Sequence, residues 1–173
     1  ANSHFGTSNG WPDAGVTYVT ARDLAHLAAA TIRDYPDLYK QFYSQPDFTW
    51  KASTGSVVKQ ENRDPLLGRV AGADGLKTGH TEEAGYGFTG SAQQNGRRLV
   101  MVLSGLTSFN QRIDQSVSFM NWGFRAWQAK PLVAKGRKVQ VAEVQLGAKR
   151  EVGLVAPKDL TVTIPAGLGS DLQ

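Results

Sequence analysis

Apolar and polar positions along the chain change rhythm several times. From Ala1 to Val19 no period holds. Gly6, Asn9-Gly10, Pro12 and Gly15 break the run, so it reads as loop, with Phe5 and Trp11 as anchors into a core. So long an irregular opening is unusual and points to a chain that begins within a larger architecture. Thr20-Ala21-Arg22-Asp23 then has the pattern of a helix cap with an acid three residues on. Leu24, Leu27, Ala28 and Ile32 follow at helical spacing. This predicts a helix that stops near Asp34-Tyr35, because Pro36 disfavours helix in the residue before it. A second short helix is predicted around Asp37 to Tyr43. Phe48-Thr49-Trp50 and Ser56-Val57-Val58 predict a hairpin closed at Thr54-Gly55.

Beyond the polar stretch Gln60 to Pro65, Asp74 to Thr81 reads as a strand edge. Gly85 to Ala92 alternates loosely, and Asn95-Gly96 is a two-residue hairpin signal. Leu99 to Leu103 is continuously apolar, which predicts a central strand covered on both faces. These three runs are expected to lie side by side, antiparallel. Thr107 or Ser108 can cap a long helix with Phe109, Ile113, Val117, Met120, Phe124 and Trp127 on one face. At Lys130-Pro131 the helical pattern ends. Val139/Val141, Val144/Leu146 and Leu160/Val162/Ile164 predict short strands with too little apolar mass for a core of their own. The expected organisation is therefore 1–129 as part of one domain and 130–173 as the start of a small β-rich one.

Composition is that of a globular chain. The 19 basic and 15 acidic side chains leave a net charge of +4 without a basic block, which argues against nucleic acid as a partner. Cysteine is absent, so disulfides and thiolate metal sites are excluded. The three histidines, His4, His26 and His80, show no metal-ligand spacing. His26 reads as a surface or core-edge residue of its helix. No apolar run is long enough for a membrane span. Ala1 opens on polar sequence, so any signal peptide is expected to be removed or to lie elsewhere.

The densest chemistry lies in Asp74-Gly75-Leu76-Lys77-Thr78-Gly79-His80-Thr81. Lys77 offers a compact charge with three donors, and Thr78 a hydroxyl. Gly79 removes a side chain beside them, so another backbone can approach. Such an edge suits an extended peptide ending in a carboxylate. It is equally a glycine-bounded turn with an exposed lysine. Arg63 reads as a solvated charge. Arg112, early in the long helix, opposes the helix dipole; it is either a surface arginine or the partner of an anion near the sheet edge.

Taken together these stretches resemble the second half of a penicillin-binding protein, of the low-molecular-mass serine-type D-alanyl-D-alanine carboxypeptidase class. The likeness runs from Ser3-His4-Phe5 to Trp122-Gly123-Phe124-Arg125. It includes Asn9-Gly10-Trp11-Pro12-Asp13, Thr20-Ala21-Arg22-Asp23-Leu24, Asn62-Arg63, the Lys77 stretch, Ala84-Gly85-Tyr86 and Arg112. That family carries Ser-x-x-Lys, a Ser-x-Asn type triplet and Lys-Thr-Gly. Only the third is read here: Ser53-Thr54-Gly55-Ser56 and Ser91-Ala92-Gln93 do not fit the first, and Ser8-Asn9-Gly10 lies in a later loop of the family.

The resemblance implies an α/β (α+β) fold of the penicillin-binding/β-lactamase type, an antiparallel sheet covered by helices. It implies a serine acyl-enzyme that removes the terminal D-alanine from peptidoglycan stem peptides and is trapped by β-lactam antibiotics. The serine would come from an N-terminal part of the same protein. Lys77, Thr78 and Gly79 would take part in catalysis. Lys77, Thr78, His80, Arg63 and Arg112 would bind substrate, with the His80 N–H as an oxyanion donor. Neither cofactor nor metal is expected, and the implied place is the periplasm or the outer face of the cytoplasmic membrane. A related transpeptidase, endopeptidase or β-lactamase is the alternative, as is a non-catalytic peptidoglycan-binding module.

Overall fold

The structure, a computed structural model, describes residues 2–168. The chain forms two compact units, Ala1–Gly123 and Phe124–Gln173. In the first, the opening loop is tied back by a bridge between His4 and Tyr18. Thr20 caps helix α1 (Ala21–Asp34), its side chain accepting the Asp23 N–H. α2 (Pro36–Phe42) begins with the proline that closes α1, since a proline N1 needs no N–H partner. β1 (Asp47–Lys51) and β2 (Val57–Glu61) pair as the expected hairpin.

The sheet that carries the Lys77 stretch has three antiparallel strands, β3 (Ala73–Thr81), β4 (Gly85–Gln94) and β5 (Arg97–Leu106), in the order β3-β4-β5. The β4–β5 turn is Asn95-Gly96 with φ of 49° and 77°, the paired left-handed geometry that two-residue hairpins require. α1 packs on β5 and β4. The core gathers Ala28, Tyr39, Leu66, Val70, Phe88, Ala92, Met101 and Met120. A Cβ at Gly90 would collide with the Phe88 ring and Leu66, so the glycine is what lets that loop residue reach the sheet.

Four expectations from the pattern are corrected. Phe5 and Trp11 anchor nothing; they are 57% and 71% exposed. The apolar run Leu99–Leu103 is not central. It lies in β5, an edge of the described sheet, and Met101 alone of that run is buried. Three strands joined by tight turns form a meander, which places the middle strand of the sequence, β4, in the middle of the sheet. Helix α3 (Phe109–Ala126), capped by Ser108, buries Arg112, Ser116 and Met120; of the expected Phe109-to-Trp127 stripe, Met120 alone is fully buried. Phe109 is largely exposed, Ile113 and Val117 flank the buried line, and Trp127 has left the helix altogether. Val144 and Leu146 form no strand; Leu146 sits at positive φ, fully exposed.

The second unit holds two antiparallel ribbons. β6 (Trp127–Val133) pairs with β9 (Leu160–Pro165), and β7 (Lys138–Glu143) with β8 (Glu151–Val155). Ile164 is its one buried hydrophobic side chain among the described residues. No helix among the described residues is long and apolar enough to cross a membrane.

Candidate active site

β3 hydrogen-bonds to β4 on one side and to no strand on the other among the described residues. The Lys77 stretch lies on that open edge. Lys77 pairs with Thr89, Thr78 with Phe88 and Gly79 with Gly87. A Cβ at Gly79 would meet nothing within 4 Å, and one at its partner Gly87 would meet only backbone, the Leu103 carbonyl oxygen at 3.4 Å and that of Gly79 at 4.0 Å. Two facing glycines thus leave the strand pair without side-chain cover just past Thr78. Beside this point Leu24, Leu27 and Ala28 of α1 face Leu76, Phe88 and Leu103 across a cleft of ≈ 380 Å³, which Lys77, Thr78 and Gly79 also line. The arrangement offers an unpaired backbone edge next to an apolar wall, the features an added peptide strand needs.

Three cations converge there. The Lys77 Nζ donates to the Thr78 carbonyl oxygen at 2.6 Å. Partial burial of the ammonium lowers its pKa from the usual lysine value, and Arg63 and Arg112 push it the same way. Arg63 is exposed on the segment between β2 and β3. Arg112 is 4% exposed. Its guanidinium lies 5.4 Å from the Tyr86 ring centroid and 5.2 Å from that of Phe109, an aromatic sandwich that holds a cation well. Its Nη1 reaches the Gly79 carbonyl oxygen at a long 3.5 Å, and its buried Nε has no partner. Burial opposes its charge and Arg63 adds to that pressure. Among the described residues, no carboxylate pairs with any of the three. Like charges gathered this way want an anion, and a guanidinium fork fits a carboxylate bidentately. The residues singled out from sequence therefore meet in space. His80 follows on the same edge, stacked on Tyr86 at 4.0 Å between centroids.

Sequence reasoning missed the rings that hold Arg112: Phe109 lies three residues earlier on the same helix, at the spacing that makes side chains neighbours, whereas Tyr86 is on another element and no local pattern marks it. It also passed over Ser56-Val57-Val58-Lys59, which does have Ser-x-x-Lys spacing. The structure removes it as a nucleophile motif. Ser56 lies in the β1–β2 turn with its hydroxyl on Thr54, and Lys59 pairs with Asp47 at 2.9 Å. A serine and a lysine three apart come together on a helix, whereas in a strand they point to opposite faces.

The sequence model of a family described as D-alanyl-D-alanine carboxypeptidase matches residues 1–107, and that of the penicillin-binding protein 5 C-terminal domain matches residues 127–173. A D-alanyl-D-alanine carboxypeptidase, DacA, of Haemophilus influenzae is 36% identical over 174 residues, covering 99% of this chain and 42% of that protein. Its counterpart from Escherichia coli K12 is 35% identical over 173 residues, covering 99% and 41%. The crystal structure of penicillin-binding protein 5 from H. influenzae superposes with a TM-score of 0.84 at 36% identity, over 99% of this chain and 48% of that one. The Streptomyces K15 DD-transpeptidase superposes with a TM-score of 0.63 at 29% identity, over 72% and 48%. The chain spans about two-fifths of the length of the curated relatives it matches.

Proposed function

This chain belongs to the D-alanyl-D-alanine carboxypeptidase family, and on that premise we propose that the complete protein removes the terminal D-alanine from peptidoglycan stem peptides. The observation that carries the reading is the bare β3 edge at Lys77-Thr78-Gly79, with three cations that no carboxylate pairs among the described residues.

The stem peptide lies along β3 as an added strand, its backbone pairing with the free edge. Its terminal carboxylate supplies the anion that these cations favour, held by Arg112 and Arg63 and by the hydroxyl of Thr78. Arg112 is well suited to this, because its surrounding rings fix it before substrate arrives and so reduce the entropy lost on binding. A serine from outside these 173 residues attacks the carbonyl of the penultimate residue. The His80 N–H donates to the oxyanion that forms. Lys77, with its ammonium made easier to deprotonate, biases the proton transfers nearby. D-alanine leaves, and water then hydrolyses the ester. A β-lactam carries a carboxylate beside its reactive carbonyl and enters by the same contacts. The second unit is a separate β-rich module, and the substrate places the protein on the outer side of the cytoplasmic membrane.

The test uses the complete protein and a pentapeptide ending in D-alanyl-D-alanine. Lys77→Ala is expected to remove most release of D-alanine; survival within a few-fold would make Lys77 a surface lysine. Arg112→Ala is expected to cost about ten- to a hundredfold on the free acid and little on the C-terminal amide, which lacks the charge. An equal loss on both would assign Arg112 to the fold. The K15 DD-transpeptidase likeness supports a second reading, transfer of the acyl group to an amine, and product analysis with an added amine acceptor separates the two.

A further inference from the structure

Asp74 is the residue that the β3–β4 register skips: Ala73 pairs with Ala92, and Gly75 with Ser91. Its carboxylate is instead gripped from β5, two strands away. Arg98 Nη1 donates to Asp74 Oδ1 at 2.8 Å and Nη2 to Oδ2 at 2.7 Å. On the way the guanidinium crosses β4, where Nη1 donates to Ser91 Oγ at 2.6 Å and Nη2 to Gln93 Oε1 at 2.9 Å. From α2 the buried Tyr39 hydroxyl donates to Asp74 Oδ1 at 2.8 Å. The tyrosine ring also lies against Gly75, where a Cβ would come within 2.8 Å of its hydroxyl. One carboxylate thus ties together all three strands and a helix.

We propose that Asp74, clamped by Arg98 and Tyr39, is the register pin of β3 and that these three are positioning residues for the chemistry at Lys77. The inference rests on the carboxypeptidase reading above for what Lys77 does. Slipping a strand by one residue turns every side chain to the opposite face. Such a slip would aim Lys77 away from Arg63 and Arg112. Cross-strand side-chain pairs ordinarily hold register, yet two of the four pairs from Leu76 to Gly79 contain glycine, Gly79 facing Gly87 and Leu76 facing Gly90, and the His80–Tyr86 stack lies beyond them. Glycine-rich strands specify register weakly. The outer edge of β3 has no strand among the described residues to add restraint. The active edge is bare so that a substrate can approach, so its register has to be fixed at some distance. Asp74 does this about 10 Å from Lys77, three residues along the strand. The bulge at Asp74 supports the assignment, since bulges pin register in antiparallel pairs.

The experiment uses the complete protein, at temperatures well below each variant's melting midpoint. Arg98→Met and Asp74→Asn are expected to slow acylation by a β-lactam by about ten- to a hundredfold, as misplacement of a reacting group does. In a Lys77→Ala background, Arg98→Met should cost nothing further, because a residue that acts through Lys77 is not additive with its loss. Amide hydrogen exchange is expected to quicken at Leu76 to Gly79 in Arg98→Met and to stay unchanged between β4 and β5. Should either substitution prevent folding, Tyr39→Phe and Gln93→Ala each remove one bond and should give the same pattern at about two- to tenfold. Additive losses with Lys77→Ala, or unchanged exchange in β3, overturn the proposal. If the parent protein releases no D-alanine from the pentapeptide, the functional reading falls instead, and the exchange measurement still decides the pin.

Discussion

At Asp64 the chain buries a carboxyl on the segment leading to β3. It is 4% exposed; Oδ1 accepts the Leu66 N–H at 2.7 Å and Oδ2 has no partner. Burial raises its pKa above the ordinary 3.8, against the pull of the Leu66 and Leu67 N–H groups. A carboxyl raised by folding is most compatible with the fold while protonated. Its contribution is fully present below 3.8 and is lost as pH rises through the folded value. Asp64→Asn keeps the bond to Leu66 and removes the charge. It should raise the melting midpoint at pH 7, with the advantage over the parent vanishing as pH falls below the carboxyl range. Thermal unfolding of the complete protein at several pH values checks this; a gain that is independent of pH would mean that the charge is not the cause. Arg112 teaches the converse point. Ile113 beside it and Phe109 a turn before it are the apolar residues, yet it is the charged Arg112 that is buried.

Helix α1 shows an element specified almost entirely by its own residues. Thr20 accepts the Asp23 N–H at 3.1 Å, while the Asp23 carboxylate accepts from Asn2 N at 2.8 Å and Ser3 Oγ at 2.7 Å. These bonds hold the opening loop against the helix start and lower the Asp23 pKa to about 2, the Ser3 hydroxyl first among the causes. Thr20→Ala is therefore expected to destabilise the complete protein by about 1 kcal/mol, the usual worth of such a cap. Denaturant unfolding measures it, and a change near zero would show that the loop, rather than the cap, defines the helix start. α3 is the contrasting case. Its period and the burial of Met120 are legible in the sequence, but Arg112 and Ser116 are buried with it because of what lies opposite them. The β1–β2 hairpin makes the same point for motifs: Ser56 and Lys59 have the spacing of a nucleophile pair in an element that keeps them apart. The apolar run marks β5 as a strand, but its place in the sheet follows from the short turns on either side of β4.

At the scale of the molecule, the two units divide at Gly123/Phe124, and the second contains paired ribbons with little buried apolar surface. The residues that converge at the β3 edge all belong to the first. Ending the complete protein at Ala126 should accordingly leave the rate of β-lactam acylation within about threefold, as expected when a module lies outside the reacting core. Loss of labelling with a folded remainder would place the second unit in the catalytic machinery. By itself, the sequence determined most element types and the hairpin turns. It also supplied the family motif, since caps, prolines, Asn-Gly and hydrophobic period act over a few residues. It named Lys77, Thr78, Gly79, Arg63 and Arg112 through resemblance, while their local patterns left surface readings open. Only the tertiary structure decided that β4 is central, that Phe5 and Trp11 stay in solvent, and that Arg112 is buried between Tyr86 and Phe109. It alone joined Asp74 to Arg98 across an intervening strand. Those outcomes depend on which surfaces meet after the chain has closed its long loops, and a local pattern carries no information about a partner 24 residues away.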